Sequence, residues 1–278
     1  MKFRRNAQLD TSQVSDRRGA MFLPAAGGGI VGLVILLFTL LNGGGGTSGL
    51  SLGTGQENDL SGSCQTGEDA NQQEDCRIVG VVNSVQAYWR DNFRGYQDTT
   101  TVFFSNGTNT GCGSATSAVG PFYCPVDDTV YIDLGFYDEL RQRFGAQGGP
   151  FAEAYVIAHE YGHHIQDLEG IIDRSGDGTT GPESSSVRIE LMADCLAGRW
   201  AKGAVDTGYI EDLTEADIAD GLNAAASIGD DRIQETIQGQ VDPESFTHGT
   251  SDQRQRWFLN GFRGSSIDAC DTFATGSL

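Results

Sequence analysis

The chain has 278 residues, with 38 Asp and Glu against 18 Lys and Arg, a formal net charge of −20 and 38% hydrophobic residues. That length suits one large domain or two small ones and buries a core without needing disulfides, and the hydrophobic fraction excludes a wholly disordered chain. The charge argues against a nucleic-acid partner, because gripping phosphates takes a basic face.

The charge is unevenly spread. Residues 1–41 hold five basic groups (Lys2, Arg4, Arg5, Arg17, Arg18) and two acids (Asp10, Asp16), a net of +3, which leaves −23 for the remainder. No charged side chain lies between Arg18 and Glu57. Inside that gap Met21–Leu41 ends in a long apolar run, and a helix over it would reach about 31 Å, close to the hydrocarbon thickness of a bilayer. The expectation is a basic cytoplasmic tail over 1–20, a transmembrane helix over 21–41 and an exported remainder, since the basic residues all precede the span. A cleaved signal peptide competes, but the N-terminal stretch is long, holds two acids and is followed by no A-x-A-like site. Residues 42–72 are rich in Gly, Ser, Thr, Asn and Gln and read as a flexible linker. The expected location is therefore the cell membrane, single-pass, with the domain of residues 73–278 outside the cytoplasm.

All six cysteines (64, 76, 112, 124, 195 and 270) fall on that exported side. An even count in an oxidising compartment favours disulfides over a metal site, and no C-x-x-C pair occurs. Sequence neighbours suggest Cys64–Cys76 and Cys112–Cys124, which leaves Cys195–Cys270.

Within the domain, helical spacing predicts a helix over Val79–Arg94. Thr100–Phe104 reads as a strand, followed by a glycine-rich loop carrying Cys112 and Cys124. Thr129–Asp133 alternates and is β-branched, hence a second short strand. Helices are predicted over Phe136–Phe144 and over Phe151–Leu168, the latter with Pro150 before its start and Gly170 after its end. Residues 171–182 read as a surface loop whose acids do not match a calcium-loop spacing. Further helices are predicted over Ser184–Lys202, Thr214–Ile228, Asp230–Gln238 and Ser251–Phe262, with Ser251 as an N-cap candidate. The fold class is α+β, mostly helical, with a small sheet before the central helix.

The segment that carries chemistry is Ala158-His159-Glu160-Tyr161-Gly162-His163-His164. Residues four apart share a helix face, so His159 and His163 can grip one Zn²⁺, with Glu160 beside them as general base. Catalytic zinc usually takes three protein ligands and keeps one open position. In Arg188-Ile189-Glu190-Leu191-Met192-Ala193-Asp194, Glu190 and Asp194 lie four apart in apolar surroundings. Glu190 is the expected third ligand, and Asp194 the acceptor for a ligand histidine N–H. His164 lies about 100° round the helix from His163 and is expected to be structural. His248, on a loop entering the last helix, is the expected donor to a developing oxyanion, with Tyr161 and Tyr155 as alternatives.

These segments resemble the bacterial putative neutral zinc metallopeptidase family. The resemblance rests on Gly120-Pro121-Phe122-Tyr123-Cys124-Pro125, Thr129–Leu134, Tyr155–His164, Arg188–Cys195 and His248-Gly249-Thr250-Ser251, and spans about residues 77 to 273. It implies a zincin-like fold, with the small sheet next to the HExxH helix, and peptidase activity. It supports His159 and His163 as ligands and Glu160 as the base. By analogy with zincins, the Thr129–Asp133 strand would pair with an extended substrate. The combined reading is a membrane-anchored extracytoplasmic zinc metallopeptidase acting on peptide or protein substrates. Its bond cleavage would use a zinc-activated water with Glu160 as general base. A non-catalytic zinc-fold envelope or binding protein and a zinc hydrolase of a non-protein amide are the alternatives. The sequence does not determine the oligomeric state.

Overall fold

A computed structural model describes residues 1–20 and 58–278 of the chain. The element order is β1 (Lys2–Phe3), β2 (Val14–Asp16), α1 (Gly67–Gln72), α2 (Glu74–Asn92), β3 (Thr100–Phe104), β4 (Gly107–Thr110), β5 (Gly113–Thr116), β6 (Phe122–Cys124), β7 (Thr129–Asp133), α3 (Gly135–Gln142), α4 (Pro150–Leu168), α5 (Ile171–Ser175), α6 (Ser185–Gly203), β8 (Ile210–Asp212), α7 (Glu215–Ser227), α8 (Asp230–Gln238) and α9 (Ser251–Arg263). It is a mostly helical α+β arrangement with small sheets, as the sequence predicted.

Helix α4 is buried along nearly its whole length, so it sits at the centre rather than on a face. Pro150 opens it at a position where a missing N–H costs nothing, and the Asp220 carboxylate of α7 accepts the N–H groups of Gly149 (3.0 Å) and Ala152 (2.9 Å). Gly170, at φ 66°, ends it in the left-handed region that favours glycine. Helix α6 starts at the Ser184 cap, whose hydroxyl accepts the Val187 N–H. Helix α9 starts at Thr250, which forms a capping box with Gln253. Ser251, the sequence candidate, instead donates its hydroxyl to Ala226 O and Asp231.

Three glycines set how closely the central helices approach. A Cβ on Gly162 of α4 would lie 2.9 Å from the backbone of Ala193 in α6. A Cβ on Gly198 would lie 2.0 Å from Phe258 O, and one on Gly261 1.8 Å from Cys195 O, so α6 and α9 touch backbone to backbone. Phe151 stacks on Trp200 across this core, and Phe258 meets Phe151 edge-on.

The main sheet has the order β2-β3-β7-β6, with β2, β3 and β7 parallel and β6 antiparallel to β7. Strand β7 therefore has neighbours on both sides, and its hydrogen-bonding edges are occupied. The substrate-pairing role expected for it is overturned, since the edge strand beside α4 is β6. The glycine-rich loop between β3 and β6 contains the β4–β5 hairpin. Disulfides join Cys64–Cys76, Cys112–Cys124 and Cys195–Cys270, the pairing suggested by sequence neighbours.

The expected membrane topology is corrected. The span 21–41 lies outside the described residues, and among the described residues no helix is long and apolar enough to cross a membrane. Residues 1–20, expected to stand apart as a cytoplasmic tail, are built into the domain. Strand β1 pairs with β8 and β2 with β3. Phe3 is buried against Gly80, and Arg18 bridges Asp16 (2.6 Å) and Asp75 (2.5 Å). A tail hydrogen-bonded into the domain shares its compartment, so the placement of the two on opposite faces of a membrane fails. Residues 58–72, assigned to the linker, hold buried Leu60 and Cys64 and helix α1. The apolar positions were too sparse there for periodicity to register, and the disulfide supplies what the pattern lacked.

Two outcomes test these contacts. Gly162→Ala should destabilise the protein by about 1–3 kcal/mol through overpacking of α4 on α6, read as a lowered denaturation midpoint. Buried Glu153 pairs with Arg77 at 3.0 Å, and burial outweighs Arg77 and lifts its carboxyl to about 7 from the usual 4.5. The folded state then holds the proton more tightly than the unfolded chain, so the stability from Glu153 is full below about pH 4.5 and lost as pH rises to about 7. Glu153→Gln should gain stability relative to the wild type between pH 5 and pH 8 in urea unfolding, and a constant difference would refute the assignment.

Candidate metal centre

Helix α4 presents His159 and His163 toward α6, which presents Glu190 in return. His159 Nε2 lies 3.1 Å from Glu190 Oε2, and His163 Nε2 lies 3.5 Å from Glu190 Oε1. Ligand atoms of all three residues fall within 4.8 Å of one another, and all three are buried. Ligands in a tetrahedral zinc site, about 2.0–2.2 Å from the ion, stand roughly 3.3–3.6 Å apart, and the two His–Glu190 distances lie close to that spacing.

The protonation logic fits as well. His159 Nδ1 lies 2.9 Å from Asp194, a carboxylate that can only accept, so Nδ1 carries the proton. His159 Nε2 faces a second carboxylate, Glu190, at 3.1 Å and donates a proton to it that a bound cation could replace. His163 Nδ1 donates to Gln166 Oε1 at 2.8 Å, and among the described residues its buried Nε2 makes no hydrogen bond. The two Nε2 atoms and a carboxylate thus converge on one point, where a cation could sit. Burial alone would lower the His159 pKa, but Asp194 and Glu190 outweigh it and lift it to about 10. Against the same burial, His163, His248 and His159 hold the Glu190 carboxyl well below its usual range.

Both candidate histidine ligands are braced from behind. Asp194 receives a fork from buried Arg254 (2.9 and 3.1 Å) and the Tyr155 hydroxyl. Arg254 keeps Asp194 ionised despite burial. Gln166 holds His163 and donates to Ile189 O at 2.6 Å, tying the ligand helix to the residue before Glu190. These partners keep the histidines in one tautomer and orientation.

Glu160 is buried, and its Oε2 has no hydrogen-bond partner among the described residues. The Tyr123 backbone N–H on edge strand β6 donates to the same carboxylate. Burial raises its pKa, with His159 and His163 pulling the other way. His248 lines the same cavity as His159, Glu160 and Glu190. Asp230, fully buried, accepts the N–H groups of Thr247 (2.7 Å), His248 (2.6 Å) and Gly249 (3.0 Å) and meets His248 Nδ1 at 3.2 Å. Burial would lower the His248 pKa, but Glu190 and Asp230 raise it.

The two tyrosine alternatives are engaged elsewhere. Tyr155 gives its hydroxyl to Asp194, and Tyr161 is paired with Thr101 at 3.0 Å. His164 faces away from the centre, with Nδ1 3.1 Å from the Tyr123 hydroxyl and Nε2 2.7 Å from Gln97 O. Sequence reading did not find Asp230, Gln166 or the buried role of Arg254. Asp230 looked like one of two acids opening a helix, and the other two are ordinary helix residues until tertiary contacts bury them.

Residues 2–273 match the sequence profile of the putative neutral zinc metallopeptidase family. The chain belongs to this family. The match extends beyond the span 77–273 and takes in the N-terminal strands. Over 227 residues, the chain is 49% identical to an uncharacterized protein of Mycobacterium tuberculosis strain H37Rv, covering 79% of this chain and 77% of that protein. Over 281 residues it is 40% identical to the uncharacterized protein YpfJ of Escherichia coli K12, covering 95% and 96%. No solved structure matches it. Membership in a zinc metallopeptidase family implies zinc, which the His159, His163 and Glu190 group of this family member could hold.

Asp194→Asn should weaken zinc affinity by about 10–100-fold, measured by competition with a chromogenic chelator. Unchanged affinity would mean that Asp194 does not orient His159.

Proposed function

We propose that this chain is a zinc-dependent peptidase with a zincin-like centre, in which His159, His163 and Glu190 hold the metal. The observation that carries this reading is the unpartnered, buried Glu160 carboxylate oxygen beside a three-ligand cluster. A purely structural metal site has no use for a buried base there, and burying an acceptor without a partner costs free energy. When bound, zinc would supply a Lewis acid that polarises the scissile carbonyl and favours deprotonation of water near neutral pH.

The remaining work falls to the side chains. Glu160 takes a proton from the attacking water on its carboxylate and passes it to the leaving amine nitrogen. Its raised pKa suits both halves of that transfer, because such a carboxyl gives the proton back readily near neutrality. His248, held by Asp230 through Nδ1, donates from Nε2 to the carbonyl oxygen as negative charge develops there. Arg254 and Asp194 keep His159 from rotating. The free edge of β6, whose Tyr123 N–H reaches Glu160, offers backbone for an extended peptide to run alongside.

The test uses the purified full chain, metal analysis and a protease assay on unfolded protein substrates. Wild type and Glu160→Gln should each carry about one zinc, while the variant loses activity by at least 10²-fold. Glu190→Ala should lose both zinc and activity. Equal cleavage by wild type and Glu160→Gln would sink the mechanism. Tight stoichiometric zinc in Glu190→Ala would move the third ligand elsewhere.

A further inference from the structure

One residue of edge strand β6 ties that strand to helix α4 at three points. Glu160, His164 and Asp167 stand four and three residues apart, so they lie along one face of α4. Tyr123 meets all three. Its backbone N–H donates to Glu160. Its hydroxyl lies 3.1 Å from His164 Nδ1 and donates to Asp167 Oδ2 at 2.9 Å. The Tyr123 and His164 rings pack with centroids 5.4 Å apart. The anchorage continues on both sides. His164 Nε2 donates to Gln97 O at 2.7 Å, in the segment between α2 and β3. The Tyr123 hydroxyl also lies 3.2 Å from Asp128 Oδ1, in the turn that joins β6 to β7. Tyr123 and His164 are both buried, and a phenyl ring would fill the same space as the phenol. What the hydroxyl adds is direction, because it fixes where the strand sits along α4 and how far from it.

We propose that Tyr123, His164 and Asp167 are positioning residues that set the gap between α4 and β6, and so hold a peptide on the β6 edge at the distance from Glu160 that proton transfer needs. The proposal rests on the peptidase reading and adds to it a device whose side chains act through Glu160 and β6 rather than on the substrate. The gap matters because the base belongs to the helix and the peptide would lie on the strand. A displacement of about 1 Å between reacting groups can cost about 10²-fold in rate. His164 thereby gains a task beyond filling the core, although it stands next to a candidate ligand and takes no part in the metal cluster.

The experiment uses the full chain and two separate readouts. Amide hydrogen exchange at residue 123, followed by NMR, reports the N–H bond to Glu160 without any turnover. Steady-state kinetics on a peptide substrate reports the catalytic step. Tyr123→Phe keeps the ring and the backbone and removes only the hydroxyl. It should speed exchange at residue 123 by at least about 10-fold, since the strand is no longer held against α4. It should also lower kcat by about 10–100-fold while KM stays within about 3-fold and zinc stays at about one per chain. Asp167→Ala, at a half-buried position, should move both readouts the same way by less, because Asp128 can still accept from the hydroxyl. It decides the matter should Tyr123→Phe fail to fold. Unchanged exchange at residue 123, faster exchange with kcat unchanged, a loss confined to KM, or a loss of zinc would each overturn the proposal. A wild type that cleaves no peptide would overturn the peptidase reading instead, and faster exchange in the variants would then still show these side chains setting the gap.

Discussion

Everything at the centre depends on electrostatic frustration between two helices. Gly162 lets α4 press against α6 until Glu190 stands 3.1 Å from His159 Nε2. Asp194 and Gln166 take ring protons on the far side, so the two Nε2 atoms are left to face the Glu190 carboxylate. Acceptors crowded in a buried space repel unless a positive charge lies between them. In the metal-free chain the proton on His159 fills that place, and a divalent cation could take it over.

The surrounding residues share one task, which is to keep charged and polar side chains from relaxing. Arg254 neutralises Asp194, Asp230 gathers three backbone N–H groups and His248, and His164 grips Tyr123, whose strand supplies an N–H to Glu160. Among the described residues, Glu160 Oε2 at the cavity has no hydrogen-bond partner. A group left unpaired among so many paired ones marks where a proton must come and go.

The N-terminal segment alters the architecture in a way composition could not show. Its basic residues read as a cytoplasmic tail because charge bias beside an apolar run is the usual signature of topology. In the fold, Arg18 meets Asp16 and Asp75, while Phe3 and Val14 enter the core. The strands involved are two and three residues long, too short for periodicity to reveal.

The sequence by itself determined the long helices, strands β3 and β7, the H-E-x-x-H pair and the E-x-x-x-D segment, because each is a local regularity of spacing. Helical period alone puts His159 with His163 and Glu190 with Asp194. Only the tertiary structure decided that these two pairs face each other, that Asp230 holds His248 while Tyr155 and Tyr161 are engaged elsewhere, that β6 rather than β7 has the open edge, and that residues 1–20 belong to the domain. Those outcomes depend on which surfaces meet across separations of tens to hundreds of residues. Contacts of that kind are set by burial and backbone approach at glycines, and no spacing within a single segment encodes them.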